Sequence, residues 1–263
     1  RLDSVTICNP ILTVITSISL DHTEILGDTI EKIAFEKAGI MKNGITCVSS
    51  PQQKNVFSVL QQQAKIHDCE LILTDENILQ NTNPSLTGKY QFENACLAAT
   101  SLKHLKDINL SDESIKQGIE QTTWHGRNEI IQNKPLVIFD VAHNESGIEG
   151  FLDYFNGIND SGTSILVISL QRRKNIMNVV PQLLNTFDYI ICCETDNLRT
   201  MTLGEMETQL GKSDKIFYIQ SAKDAISKGL TFLKSNSDKM AIVGTHHFGK
   251  PITNIFNISF NTL

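Results

Sequence analysis

Short apolar runs rich in β-branched residues alternate along this chain with longer segments whose apolar residues return every three or four positions. That alternation restricts the fold more than any other feature, because strands joined through amphipathic helices must cross over and pair in parallel. Residues 11–19, ILTVITSIS, predict a buried strand running into the polar pair Asp21-His22. A helix is expected over residues 29–37, with Asp28 as N-cap, Glu31 three positions on, and Ile30, Ile33, Ala34 and Ala38 on one face until Gly39 stops it. Strand 45–48, helix 56–66 and strand 70–74 continue the rhythm. Residues 82–88 form a loop, and helices 91–105 and 112–121 follow.

After a turn at residues 122–126, taken as the domain boundary, a second series begins. Strands are expected at 136–140, 164–169, 189–193, 216–219 and 240–243, with helices at 146–155, 175–184, 202–210 and 222–233. Five strands separated by helices describe a doubly wound α/β domain. The expected domains are therefore 1–123 and 124–263.

The bulk properties narrow the class. A hydrophobic fraction of 40% and a charged fraction of 20% are those of a globular protein. The net charge of −6, from 29 acidic and 23 basic residues without a basic stripe, disfavours a nucleic-acid surface. No apolar run approaches the roughly 20 residues that span a bilayer, so no membrane association is expected. The opening RLDSVTICNP lacks an initiator Met and a secretion signal. Cytoplasmic residence is expected, with a true N-terminus further upstream. Six cysteines without C-x-x-C spacing read as buried free thiols.

In an open α/β sheet the ligand crevice lies beyond the carboxyl ends of the strands. Asp21-His22 and Asp140-Val141-Ala142-His143-Asn144 both occupy such ends. Taken alone, Asp21 capping a turn and His22 packing as a hydrogen-bonded loop histidine is an equally good reading of the first pair.

The run SLDHTEILGDTIEKIAFEKAGI at residues 19–40 resembles the folylpolyglutamate synthase and dihydrofolate synthase branch of the Mur ligase superfamily. Arg1-Leu2-Asp3-Ser4 is similar to the end of that family's Gly-Gly-Arg-Leu-Asp substrate-loop motif. Trp124-His125-Gly126-Arg127 and Asp140-Val141-Ala142-His143-Asn144 are similar to its Trp-Pro-Gly-Arg and Asp-Gly-Ala-His-Asn motifs. The fold implied is part of a Mur-ligase-like central domain followed by the α/β glutamate-ligase domain. The activity implied is an ATP-dependent ligase: ATP phosphorylates a folate or dihydropteroate carboxylate, and the amine of L-glutamate attacks the acyl phosphate. Cations and hydrogen-bond donors must then stabilise the transferred phosphoryl group and the tetrahedral oxyanion.

Residue by residue, the resemblance implies that His22 ligates Mg²⁺, although that ion ordinarily prefers oxygen. Lys37 falls on a lysine carried as a carbamate; without the resemblance it reads as an exposed cation suited to a helix C-terminus. Asn94, Arg127 and Asp140 fall on ATP-contacting positions, and Arg127 has the planar fork that grips phosphate. Leu2, Asp3 and Ser4 are implied in substrate binding. His143 is placed as a catalytic group and Asn144 as a substrate contact; the alternative for both is turn chemistry before a helix capped at Ser146. The implied partners are ATP, L-glutamate and folate or dihydropteroate, acting on a monomer.

Several positions depart from the family pattern. Val141 stands for glycine, Glu145 and His125 for proline, and Tyr90 where histidine is commoner, which puts the loop shapes in question. Val243-Gly244-Thr245-His246-His247-Phe248-Gly249 occupies the place of a Gly-Ser-Leu-Tyr segment, and its adjacent histidines lack a third partner for a metal. The family's P-loop has no counterpart, since Gly211-Lys212-Ser213 has Met206 where the first glycine belongs and follows a helix. The phosphate loop and a second metal ligand are expected upstream of Arg1, and the 263 residues alone are expected to be inactive. Two other readings stay open: a Mur-superfamily ligase for a peptidoglycan precursor, and a catalytically inactive ATP-binding module.

Overall fold

The computed structural model describes residues 4–105, 108–158 and 161–260. Two compact units divide the chain, Arg1–Thr123 and Trp124–Leu263.

In the first unit, β1 (Thr13–Ile15), β2 (Cys47–Ser49) and β3 (Leu71–Leu73) form a parallel sheet in that order, with Val14, Val48 and Ile72 in register. Helices α1 (Thr23–Leu26), α2 (Ile30–Ala38) and α3 (Lys54–Ile66) connect them. Ala38 of α2 and Leu60 and Ala64 of α3 meet Ile15, Met41, Cys47 and Cys69 in one small core. A second core joins Leu79 to α4 (Lys89–Lys103) and α5 (Asp112–Gln121) through Cys96, Ala99, Ile115 and Ile119.

Two local expectations are corrected here. The strand expected over residues 11–19 is only three residues long, because the Gln52 side chain takes over the backbone beyond it. Its amide nitrogen donates to the Thr16 carbonyl at 2.9 Å, and its oxygen accepts from Ile18 N at 3.1 Å. Thr29, not Asp28, caps α2 by accepting from Lys32 N; Asp28 pairs with Lys32 Nζ at 2.7 Å.

The second unit is a doubly wound sheet. Its elements are β4 (Glu129–Asn133), β5 (Leu136–Asp140), α6 (Glu145–Asn156), β6 (Ser164–Ile168), α7 (Val180–Thr186), β7 (Tyr189–Glu194), α8 (Leu203–Leu210), β8 (Ile216–Ser221), α9 (Ala222–Phe232), β9 (Lys239–Val243) and α10 (Gly249–Phe256). The strand order is β4-β5-β9-β6-β7-β8, parallel except for β4 against β5. Alternate strand residues go to opposite faces, as the period of two requires. Ile138, Leu166, Ile168, Ile190 and Ala241 face Phe151, Phe155, Leu183 and Met206 of α6, α7 and α8. Val137, Ile165, Val167, Ile191 and Met240 face Ala225, Ile226 and Ile252 of α9 and α10. No helix among the described residues is long and apolar enough to cross a membrane.

The sheet has six strands where five were expected, because the short β4 turns straight back through Lys134-Pro135 onto β5. At the amino end of the sheet, Lys239 is buried. Its ammonium donates to the Phe155 and Ile158 carbonyls at 3.3 and 3.0 Å and lies 4.5 Å from the Phe155 ring centre, which fastens the C-terminus of α6. All six cysteines are free and only Cys8 is exposed; burial pushes the Cys192 thiol up to about 12 and Cys47 and Cys96 to about 11.

Candidate active site

The crossovers after β5 and β6 put their helices on one face, while the chain after β9, which lies between them, passes to α10 on the other. Such a reversal opens a crevice beyond the strand ends. Asp140 closes β5 there, and it is 2% exposed. Its Oδ2 accepts from Asn128 N at 2.8 Å and its Oδ1 from Ala142 N at 2.7 Å. A single carboxylate thus ties the segment carrying Arg127 to the one carrying His143 and Asn144.

The backbone around Asp140 is close-packed. Gly126 has φ 70°, and a Cβ there would lie 2.6 Å from Val141 Cγ1; Val141 N in turn donates to the Gly126 carbonyl at 3.0 Å. On the other side Gly244, at φ 120°, donates from N to the Asp140 carbonyl at 3.1 Å, and a Cβ would lie 2.1 Å from the Ser169 carbonyl oxygen. Only glycine lets β9 pass between β5 and β6 at that point.

Three departures from the family pattern gain a local explanation. The imidazole of His125 meets Glu129 Oε1 through Nδ1 at 2.7 Å and packs edge-on against Phe260, while Glu129 Oε2 accepts from Gly126 N at 2.8 Å. The turn is therefore braced by the Glu129 carboxylate, which meets both His125 and Gly126 N, instead of by a proline ring. Glu129 was not singled out in the sequence; its place four residues beyond His125 is the signal that could have found it. Val141 covers Gly126. Glu145 opens α6 and accepts from Asn178 N and Nδ2 at 3.3 and 3.0 Å.

His143 Nδ1 is 2.9 Å from the Val141 carbonyl oxygen, which can only accept. The contact therefore places a proton on Nδ1, with Nε2 as the other ring nitrogen. Asn144, not Ser146, caps α6: its Oδ1 accepts from Gly147 N at 2.8 Å. Arg127 is half-buried and donates from Nη1 to the Gly126 carbonyl at 3.2 Å. Beyond β9, Thr245 accepts from His247 N, and His247 Nε2 lies 2.5 Å from Asn197 Nδ2, linking the loops after β9 and β7. Burial, and then the neighbouring His246, lower the His247 pKa below its usual value.

The remaining candidates lie in the first unit. His22 adopts a left-handed conformation, φ 52° and ψ 36°, at the start of α1, a backbone state uncommon outside glycine and worth reading as functional. Its side chain is 59% exposed, with Nε2 3.8 Å from Asp21 Oδ2, so the packed loop histidine is not what the structure contains. Lys37 is exposed in the last turn of α2. Asn94 is exposed on α4 and donates to Gln91 Oε1 at 3.3 Å. Leu2 and Asp3 lie outside the described residues, and Ser4 begins a 3₁₀ turn. Among the described residues no three His, Cys, Asp or Glu side chains converge as a complete metal site. His22 and Asp21 are compatible with Mg²⁺ only as a partial set, since that ion keeps waters and takes further oxygens from phosphates.

Residues 126–246 match the family model described as Mur ligase, glutamate ligase domain. The chain is 34% identical over 208 residues to the dihydrofolate synthase/folylpolyglutamate synthase of Bacillus subtilis, covering 70% of this chain and 48% of that protein. Among solved structures it superposes on Mycobacterium tuberculosis folylpolyglutamate synthase complexed with ADP and AMPPCP with a TM-score of 0.84 at 22% identity, over 97% of this chain and 65% of that one. The bifunctional Yersinia pestis enzyme complexed with AMPPNP and Mn gives 0.80 at 21%, over 97% and 63%. At these identities the superpositions establish the fold. The chain spans about half the length of the curated relatives it matches.

Proposed function

Because the chain belongs to the folylpolyglutamate synthase family of the Mur ligase superfamily, we propose that it serves an ATP-dependent ligase that adds L-glutamate to a folate or dihydropteroate carboxylate. The observation that carries this reading is the buried Asp140 carboxylate, which holds two main-chain N–H groups and so fixes Arg127, His143 and Asn144 at one strand end. The names of the relatives and the ATP analogues in the solved neighbours support it. Residues 1–123 would be the C-terminal part of the central ATP- and substrate-binding domain, and 124–263 the glutamate-ligase domain, of a cytoplasmic monomer.

In the proposed reaction a substrate carboxylate oxygen takes the γ-phosphoryl group of ATP, and ADP leaves. The glutamate amine then attacks the acyl carbon, and phosphate departs as the amide forms. Arg127 grips phosphate oxygens with its guanidinium fork. His143, protonated at Nδ1, accepts the amine's proton at Nε2. Asp140, with both oxygens engaged by the main chain, orients these groups. Asn144 faces glutamate while it holds the start of α6, and Asn94 contacts ATP. His22 would contribute to holding Mg²⁺, whose charge offsets that of the phosphates. Exposed Lys37 would add CO₂ at Nζ to become a carbamate beside the metal. Leu2, Asp3 and Ser4 would contact the acceptor.

The test is to assay the full-length protein with ATP, Mg²⁺ and glutamate, offering dihydropteroate and tetrahydrofolate in parallel. One glutamate should be added to at least one acceptor, and Arg127→Ala should lower kcat by roughly 10²-fold, the scale of losing one charge-stabilising donor. A glutamate-free product mixture with both acceptors overturns the reading. The 263 residues by themselves, which contain no Walker-type glycine loop, should give no product.

A further inference from the structure

The turn that carries Arg127 is held from three directions. Asp140 Oδ2 takes Asn128 N on one side, and the Glu129 carboxylate takes Gly126 N and the His125 ring on another. The third hold comes from the far end of the same unit. The Phe260 ring meets the His125 ring edge-on, with 4.7 Å between their centres, and lies 6.0 Å from the ring of buried Phe139 on β5.

The sequence brings Phe260 there by a reversal after α10. Asn257 ends that helix in the left-handed region, φ 51° and ψ 42°, which asparagine tolerates. Ile258 and Phe260 then return onto the core beneath α9 and α10, while Asn257 and Ser259 between them stay exposed. Gly249, the first residue of α10, lies against the ring, its Cβ position 3.7 Å from Phe260 Cδ2. The half-buried ring is therefore gripped by α10, β5 and the Arg127 turn together.

Gly126 makes that grip consequential. Glycine has the widest choice of backbone states, so the direction of its carbonyl depends on what braces it. Arg127 Nη1 donates to this carbonyl at 3.2 Å, and the Gly126 N–H is the group that Glu129 holds. The guanidinium thus takes its direction from a residue fixed by Glu129 and, through His125, by Phe260. A planar fork grips phosphate only when it is aimed, and misplacement by about 1 Å can cost on the order of a hundred-fold in rate.

We propose that Phe260 and Glu129 are positioning residues for the ligase reaction, aiming the Arg127 guanidinium through His125 and Gly126. This rests on the phosphate-gripping role given to Arg127 above and deepens it.

The experiment is a double-mutant cycle in the full-length protein, assayed for glutamate addition. Phe260→Ala and Glu129→Ala should each lower kcat roughly ten-fold, less than Arg127→Ala does, with the KM for glutamate unchanged. In an Arg127→Ala background neither should lower kcat further by more than about two-fold, since no guanidinium is left to aim. Phe260→Tyr, which keeps the ring, should keep the rate. A residue that only supports folding lowers the rate in both backgrounds alike, so equal losses with and without Arg127 overturn the proposal. A second readout is independent of turnover. In the 263-residue chain the Arg127 Nε–Hε resonance should shift in Phe260→Ala and stay in place in Phe260→Tyr; an unmoved resonance in Phe260→Ala also overturns the proposal. Additive losses in a protein that does add glutamate remove the positioning role alone. A resonance that follows Phe260, beside a full-length protein that never adds glutamate, removes the ligase reading alone.

Discussion

The two units solve the problem of covering a parallel sheet differently. In Trp124–Leu263 the central strands β5, β9, β6 and β7 are buried on both faces by helices, and one sheet supports two continuous cores. In Arg1–Thr123 three strands of three residues each serve one small core, a second small core lies elsewhere, and Ile11, Val14 and Ile25 are 66%, 38% and 63% exposed. Apolar burial is the main favourable term in folding. The second unit therefore has what an independently stable domain needs, and the first has much less of it. Rigid positioning of Asp140 and its loops belongs to the stable unit, whereas His22 and Lys37 sit on short helices of the weaker one.

Separating the units should produce the largest effect. Residues 124–263 expressed alone should melt in one cooperative transition with dispersed amide resonances, while residues 1–123 alone should bind a hydrophobic dye and melt broadly. A sharp, cooperative transition for 1–123 would erase the contrast. Removing the Asp140 carboxylate comes next: Asp140→Ala leaves two main-chain donors without their acceptor and should destabilise 124–263 by about 2 kcal/mol or more. Asp140→Asn, which keeps one acceptor oxygen, should lose less, and equal denaturation midpoints for the two variants would show that the carboxylate does not tie the loops.

The smallest effect should come from pH. The folded-state pKa of His247 lies below its ordinary 6.5 because burial, and then His246, disfavour the charged form. Its contribution is therefore complete above pH 6.5 and declines as pH falls through the lower folded value. Protonation also removes the lone pair that meets Asn197. The melting temperature of 124–263 should decline shallowly in mildly acidic buffer, and His247→Phe should flatten part of that slope. Parallel profiles for the two proteins would argue against it.

The architecture of the second unit was legible in sequence because its central strands are continuous apolar runs and its helices are amphipathic. Strand β5 was read to the residue. What escaped notice depended on partners distant in sequence. Gln52 ends β1 by bonding Thr16 and Ile18, more than thirty residues away, which no local pattern announces. Strand β4 was missed because Glu-Ile-Ile-Gln-Asn lacks strict alternation and acquires a bulge against β5. Helix α10, also missed, follows the His246-His247-Phe248 segment without a side-chain cap. At the site, the residues came from motif resemblance, whereas the tying of Arg127's turn to His143's loop through Asp140 emerged only in three dimensions.

Helix α6 is pinned at both tips. Asn144 anchors its first turn at the carboxyl end of the sheet, and the buried Lys239 grips the Phe155 carbonyl of its last turn and the Ile158 carbonyl just beyond it at the opposite end. Its twelve residues make a strut of about 18 Å. A strut clamped at each end resists tilting and sliding, so any adjustment at this strand end must come from the loops that meet at Asp140, with α6 as the fixed post beside them.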